Sequence, residues 1–206
     1  IGVFDKEKFI TTFRMTTNMQ RTTVEYGITI IDLLEHNKIS HDEIKDAIIS
    51  SVVPNVMHSL CSGMIKYFDI KPMVVEPGVK TGIRITSENP AQIGADRIVD
   101  AVGAYELYGG PVIVIDYGTA TTYDFVNGNG DFFAGVTSPG IRISAKALWE
   151  DAAKLPEIEI KKPSTILARE TISSMQAGLI FGQIGQTEYI VKNMIKESGL
   201  KDVKVV

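Results

Sequence analysis

The sequence predicts an α/β protein built from two related lobes. Three observations carry that reading. Strand-like segments open the chain and are followed by helices alternating with single strands. A second strand, hairpin and helix series begins near residue 111. Short apolar β-branched runs such as Ala47–Val53 read as buried parallel strands. The 206 residues are long enough to bury a real core. Gly109-Gly110 is the candidate boundary, dividing an N-terminal lobe, 1–109, from a C-terminal lobe, 110–206.

Taken in order, residues 1–5 and 8–15 read as two strands around a turn at Asp5-Lys6. Thr22-x-x-Glu25 is a capping box opening a helix with Val24, Ile28, Ile31 and Leu34 on one face. Ser40-x-x-Glu43 repeats the signal for a short helix. The run 47–53 ends at Pro54, and Asn55 is placed to cap a helix turning Val56, Leu60, Met64 and Phe68 inward. Met73–Val75 is a short strand.

Asn89-Pro90 predicts a helix start, running to about Tyr108, where Gly109-Gly110 stops it. Pro111–Ile115 is a buried strand. Thr119–Val126 and Asp131–Val136 form a hairpin around Asn127-Gly128-Asn129-Gly130. Helices follow near 141–153, 164–169 and 171–197. In the last, Glu188 and Lys192 stand at i,i+4 as a surface pair.

Composition narrows the function. The chain is 44% hydrophobic and 22% charged, with net charge −4, and it has no dense basic run. A nucleic-acid partner is disfavoured on that ground. One cysteine, Cys61, forms no internal disulfide and fits a reducing compartment, so a cytoplasmic location is expected. Three histidines and one cysteine give no zinc pattern. The apolar stretches are too short to span a bilayer, so no membrane partner is expected.

Four stretches carry candidate chemistry. The first is Asp116-Tyr117-Gly118-Thr119-Ala120-Thr121-Thr122-Tyr123-Asp124. An acid at the end of a buried strand is followed by a glycine and three hydroxyls. Gly118 lets the backbone approach an anion, Thr119 and Thr121 offer hydroxyls to phosphate oxygens, and Asp116 holds a cation that offsets their charge. For D-x-G-T alone, a plain strand, turn and hairpin is an equal reading. The second is Gly94-Ala95-Asp96-Arg97. Asp96 either complements a helix dipole or accepts a hydroxyl proton, and Arg97 suits bidentate binding of a carboxylate or phosphate. The third, Gly135-Val136-Thr137-Ser138-Pro139-Gly140, is either an ordinary link or a backbone passing close to a ligand. The fourth, Thr171 to Gly178, opens the long helix, with Thr171 a plausible N-cap.

Together these stretches resemble type III pantothenate kinase. The resemblance rests on G-A-D-R at 94–97, D-x-G-T-A-T-T-x-D at 116–124, S-P-G at 138–140 and T-x-x-S-M-Q-x-G at 171–178. Ser50-Ser51-Val52-Val53-Pro54 and Glu88-Asn89-Pro90 also look like family segments. The resemblance implies an actin-like fold of the acetate and sugar kinase/Hsp70/actin type (ribonuclease H-like), with duplicated lobes around a central cleft. It implies ATP-dependent phosphorylation of pantothenate to 4′-phosphopantothenate, with Mg²⁺ and with K⁺ or NH₄⁺. It also implies a homodimer whose substrate site lies near the subunit interface.

Carried over by residue, Asp96 accepts the hydroxyl proton. Gly94, Ala95, Arg97 and Thr171 bind pantothenate. Thr119 contacts ATP, and Asp116 binds the monovalent cation. The resemblance places the family's first phosphate loop, D-x-G-N-T, ahead of Ile1 and its glycine-rich adenosine segment after Val206. Both ends of the chain read as cut within strands. Ser87 stands where the family has a tyrosine against pantothenate, and Ala134-Gly135 where it often has Gly-Gly. Other readings are a different kinase or phosphatase on the same fold, and a Baf-type transcriptional regulator.

Overall fold

The computed structural model describes residues 1–206. The chain separates into two compact units. One holds Ile1–Val79 with Gly94–Asp96, and the other holds Lys80–Ile93 with Arg97–Val206.

In the first unit, β1 (Gly2–Asp5) and β2 (Lys8–Thr12) form an antiparallel hairpin. The chain reverses at Lys6-Glu7, one residue later than expected, and Lys6 takes a left-handed φ of 55°. Helix α1 (Thr23–His36) starts at the expected box. The Thr22 hydroxyl accepts from the Glu25 N–H, and the Glu25 carboxylate accepts from the Thr22 N–H at 2.7 Å. The Thr22 N–H bond first, then a bond from the Thr22 hydroxyl at 2.9 Å, holds the Glu25 carboxyl below the usual range. Ser40 opens a single 3-10 turn, His41–Glu43.

The run 47–53 yields only β3 (Ile48–Ile49), which pairs in parallel with β4 (Met73–Val74). It is parallel as expected but not buried: Ile48 is 67% exposed. A two-stranded ladder has a single covered face, so alternate residues turn outward. Helix α2 (Pro54–Phe68) is capped by the Val53 backbone with Pro54 in its first turn, and Asn55 lies inside it. The unit's core gathers Phe13, Ile30, Leu34 and Met64, with Leu60 and Phe68 packed against them.

The second unit is built on a five-stranded sheet of order β5-β8-β7-β6-β9. Its strands are β5 (Arg84–Ile85), β6 (Val112–Tyr117), β7 (Ala120–Val126), β8 (Asp131–Pro139) and β9 (Lys204–Val205). β6, β7 and β8 form an antiparallel meander, while β5 and β9 add in parallel at its two edges.

The helix expected from Asn89 is interrupted. Pro90–Gln92 makes one 3-10 turn, and α3 (Ala95–Tyr108) begins afresh after Ile93-Gly94. Gly109, at φ 70°, ends it. Helix α4 (Ile141–Asp151) follows β8 directly. The short helix expected at 164–169 does not form. Its amides bond locally instead, Leu167 N–H to Thr165 Oγ1 at 3.1 Å and Ala168 N–H to the Ile166 carbonyl, which competes with helical pairing.

Helix α5 (Thr171–Ser198) is capped by Glu170, with Thr171 as its first residue rather than its cap. The Glu170 carbonyl accepts from Ser174 N–H at 2.8 Å and from the Ser173 hydroxyl at 3.1 Å. Glu188 and Lys192 make no ion pair; the i,i+4 pair of the surface is Lys146–Glu150, at 3.3 Å. The first half of α5 places Met175 and Leu179 in a cluster with Ala145 and Ile158. Its second half lays Ile190, Val191, Met194 and Ile195 over Ile113, Tyr123 and Phe125 of the sheet. No helix is long and apolar enough to cross a membrane.

A polar cluster fixes the β7–β8 turn. Asp131 accepts from Asn127 Nδ2 at 2.9 Å and from Arg84 Nε at 2.7 Å, tying β5 to the start of β8. The Asn127 bond first, then Arg84, holds the Asp131 carboxyl below the usual carboxylate range. A carboxyl lowered in the folded state stabilises the fold above its ordinary pKa, and that contribution disappears as pH falls through the lowered value. Urea unfolding midpoints should therefore fall more steeply with acidification in the wild type than in Asp131→Asn; parallel slopes would remove Asp131 from the acid response.

Candidate active site

Residues of the D-x-G-T segment and the S-P-G segment meet in the second unit. β6 ends at Tyr117, and Gly118-Thr119 turns the chain into β7, with Gly118 N–H bonded to the Ala120 carbonyl at 3.0 Å. Gly140 N–H donates to the Thr119 carbonyl at 3.1 Å. A Cβ on Gly140 would collide with the carbonyl oxygens of both Gly118 and Thr119. Only glycine lets the two backbones approach this closely, which is the physical reason for S-P-G at that point.

Strand register decides which side chains share a face with Asp116. Cross-strand partners point the same way. Asp116 pairs with Thr122, and Thr122 pairs with Thr137 on β8. Asp116, Thr122 and Thr137 therefore form a polar row across three strands, on the face opposite the one α5 covers. Asp116 and Thr137 are exposed and Thr122 is partly so.

Thr121 points the other way. It is fully buried, and its hydroxyl has no hydrogen-bond partner. The expectation that Thr121 offers its hydroxyl to a phosphate is corrected by that placement: an enclosed group cannot reach a ligand on the open face. Thr122, one residue on, has the outward position. Counting strand alternation from Asp116 through the hairpin would have found it.

Gly118 and Thr119 are exposed in the turn itself. A Cβ on Gly118 would stand 3.1 Å from Asp116 Oδ2 and 3.4 Å from the Ala120 carbonyl oxygen. The missing side chain thus leaves a small oxygen-lined cradle. One carboxylate and one neutral carbonyl make a weak donor set for a divalent ion, which favours more charge and a stricter shell. No group of three or more His, Cys, Asp or Glu side chains is gathered for a divalent ion.

The G-A-D-R segment occupies the break before α3 and its first turn. Asp96 is exposed, and its Oδ1 folds back over Gly94 so closely that a Cβ there would overlap it; Val52 Cγ1 would stand at 3.2 Å. Gly94 therefore leaves room for the Asp96 carboxylate. Ala95 is buried.

Arg97 meets Asp124, the last residue of the D-x-G-T-A-T-T-x-D string. Arg97 Nε lies 3.0 and 3.1 Å from the two Asp124 oxygens, and Nη2 also donates to Oδ1. Asp124 is 2% exposed, and the Arg97 guanidinium also lies over the Phe132 ring at 5.7 Å. A Cβ on Gly135 would overlap Arg97 Nη2 and stand 2.8 Å from Asp124 Oδ1, so Gly135 makes space for the pair. The expectation that Arg97 turns its bidentate fork to a ligand is revised: that edge is engaged by Asp124. No role had been read for Asp124 from the sequence.

Thr171 is the first residue of α5. It borders a cavity of about 750 Å³ with Ser144, Leu148, Ser174, Met175 and Gly178, between α4 and the start of α5. Ser87 follows β5, and its hydroxyl is buried with no hydrogen-bond partner.

The family model for type III pantothenate kinase matches residues 1–193. The chain belongs to the type III pantothenate kinase family. A protein of Agathobacter rectalis named type III pantothenate kinase is 67% identical over 205 residues, covering 100% of this chain and 79% of that protein. One of the same name from Bacillus cytotoxicus is 52% identical over 198 residues, covering 96% of this chain and 76% of that protein. A solved structure described as a conserved Baf family transcriptional activator from Campylobacter jejuni aligns with TM-score 0.49 and 15% identity, over 80% of this chain and 78% of that one. So loose a likeness carries no argument about this member of the family.

Proposed function

We infer that this chain catalyses the ATP-dependent phosphorylation of pantothenate to 4′-phosphopantothenate, the first step of coenzyme A biosynthesis (EC 2.7.1.33). The observation that carries this is the family match over residues 1–193, supported by two relatives of that name at 67% and 52% identity. The packing of the D-x-G-T turn on Gly140 supports it independently, because a backbone turn with exposed hydroxyls and a carboxylate is suited to phosphate.

The site residues take the following roles in this reading. Asp96 accepts the proton of the pantothenate hydroxyl as the γ-phosphate is transferred. Gly94 and Ala95 shape the substrate side, and Gly94 leaves room for the Asp96 carboxylate. Arg97, oriented by Asp124, and Thr171, which borders the α4–α5 cavity, are the other pantothenate-binding residues. Gly118 and Thr119 receive the phosphates, with Thr122 and Thr137 on the adjoining open face. Asp116 and the Ala120 carbonyl are the groups suited to K⁺ or NH₄⁺, and Mg²⁺ would be held mainly by phosphates and water. When bound, these cations offset the negative charge of the phosphates. Phosphoryl transfer asks the protein chiefly for such positioning and charge compensation.

The same reading includes an actin-like fold with duplicated lobes, a homodimer with the substrate site near its interface, and a cytoplasmic location. The acidic composition supports partners that are small molecules rather than nucleic acid.

A coupled assay with ATP, Mg²⁺ and K⁺ tests the activity: ADP should appear only when pantothenate is added. Phosphate release without an acceptor would instead support a phosphatase. For Asp116, the Asn variant should need more K⁺ for half-maximal rate, and an unchanged potassium curve would remove its cation role.

A further inference from the structure

We propose that Thr187 is a positioning residue for the 116–119 turn, acting through Tyr117 from the face of the sheet opposite the polar row. The functional side of this proposal rests on the kinase reading above.

The turn is held unevenly. On the β8 side, the Gly140 N–H bond to the Thr119 carbonyl fixes it. On the β6 side, the side-chain tie is a hydroxyl cluster. Thr187 Oγ1, in the middle of α5, lies 3.0 Å from the Tyr117 hydroxyl and 3.0 Å from the Tyr123 hydroxyl. One threonine hydroxyl donates once and accepts twice, so a single oxygen can serve both phenols.

The two phenols have different surroundings. Tyr123 is fully buried, with no water to replace a lost partner, so its hydroxyl fixes where the Thr187 oxygen sits. Tyr117 is 58% exposed and adjoins Asp116 in the chain. Its bond to Thr187 thus anchors the end of β6, from which the Asp116 carboxylate and the phosphate turn project. An exposed hydrogen bond contributes little to global stability because water replaces it, yet it restricts local geometry. Stability and positioning therefore separate between the two tyrosines.

Amide hydrogen exchange at Gly118–Ala120, with potassium titrations of turnover, tests this in full-length protein. Tyr117→Phe should speed exchange in the turn and raise the half-saturating K⁺ by up to about tenfold, the size of one hydrogen bond. Its melting temperature and KM for pantothenate should not change. Thr187→Val should give the same two shifts with a lower melting temperature, because Tyr123 is stranded. Thr187→Ser, which keeps the hydroxyl, should restore all of them. Wild-type exchange in both Tyr117→Phe and Thr187→Val overturns the tether. Faster exchange with an unchanged potassium curve overturns its functional part. A wild type lacking pantothenate-dependent turnover overturns the kinase reading instead, and the exchange rates then decide the tether alone.

Discussion

Replacing Asp96 with asparagine should lower kcat by about 10²–10⁴-fold, the usual cost of removing a general base. Asparagine has the same shape and can occupy the same space over Gly94. It cannot take up a proton at neutral pH. Asp96 is exposed in the first turn of α3, so the change buries no new polar group and should leave the melting temperature close to that of wild type. KM for ATP should change little, because the phosphates are assigned to the 118–119 turn. The measurement is steady-state ADP release at saturating pantothenate, with a melting curve on the same sample. Turnover within a few-fold of wild type would exclude Asp96 as the proton acceptor. Gly94→Ala is a useful companion: its methyl group would displace the same carboxylate without altering its chemistry, so it should lower kcat in the same direction.

Asp124→Ala should be strongly destabilising, costing roughly 3 kcal/mol, the lower end for a broken buried ion pair. The lower end is appropriate because Arg97 keeps 22% of its side chain exposed, and water can partly resolvate it once the carboxylate is gone. Asp124 itself is enclosed and accepts from Nε and Nη2 of Arg97. Urea denaturation of the Asp124→Ala and Arg97→Met single variants and of Arg97→Met/Asp124→Leu closes a double-mutant cycle. The double variant should recover much of the loss, since replacing both members of a buried pair removes the stranded charge. Losses that simply add would mean that the two side chains are not coupled. A raised KM for pantothenate in Asp124→Asn would further indicate that the pair orients Arg97 for substrate.

Much of the fold was legible in local chemistry. The Thr22-x-x-Glu25 box marks α1 because both of its reciprocal bonds are short-range and need no tertiary partner. The Asn127–Gly130 turn predicts the β7–β8 hairpin for the same reason, since the Asn127 side chain accepts from the Asn129 and Asp131 amides at 2.8 and 3.0 Å. Local preference gave way where it met a competing arrangement. Asn89-Pro90 starts a helical turn, but the chain is broken again at Gly94, where the Asp96 carboxylate needs space. Residues 47–53 have a buried strand's composition, yet only two of them pair. Thr171 has an N-cap's chemistry, but Glu170 takes that place.

The family, the order of most elements and the segments that carry the chemistry are legible from the residues alone. Those properties reside in residue types at fixed spacing, and Asp96 and Asp116 could be named from them. The tertiary structure alone decided which neighbours those segments acquire. Strand register turned Thr122 outward and Thr121 inward, although the sequence reading assigns the phosphate contact to Thr121. It brought Gly140 against the 118–119 peptide and joined Arg97 to Asp124, residues 27 positions apart. These outcomes depend on pairing and packing between distant parts of the chain, and such contacts leave no local pattern in the residues that make them.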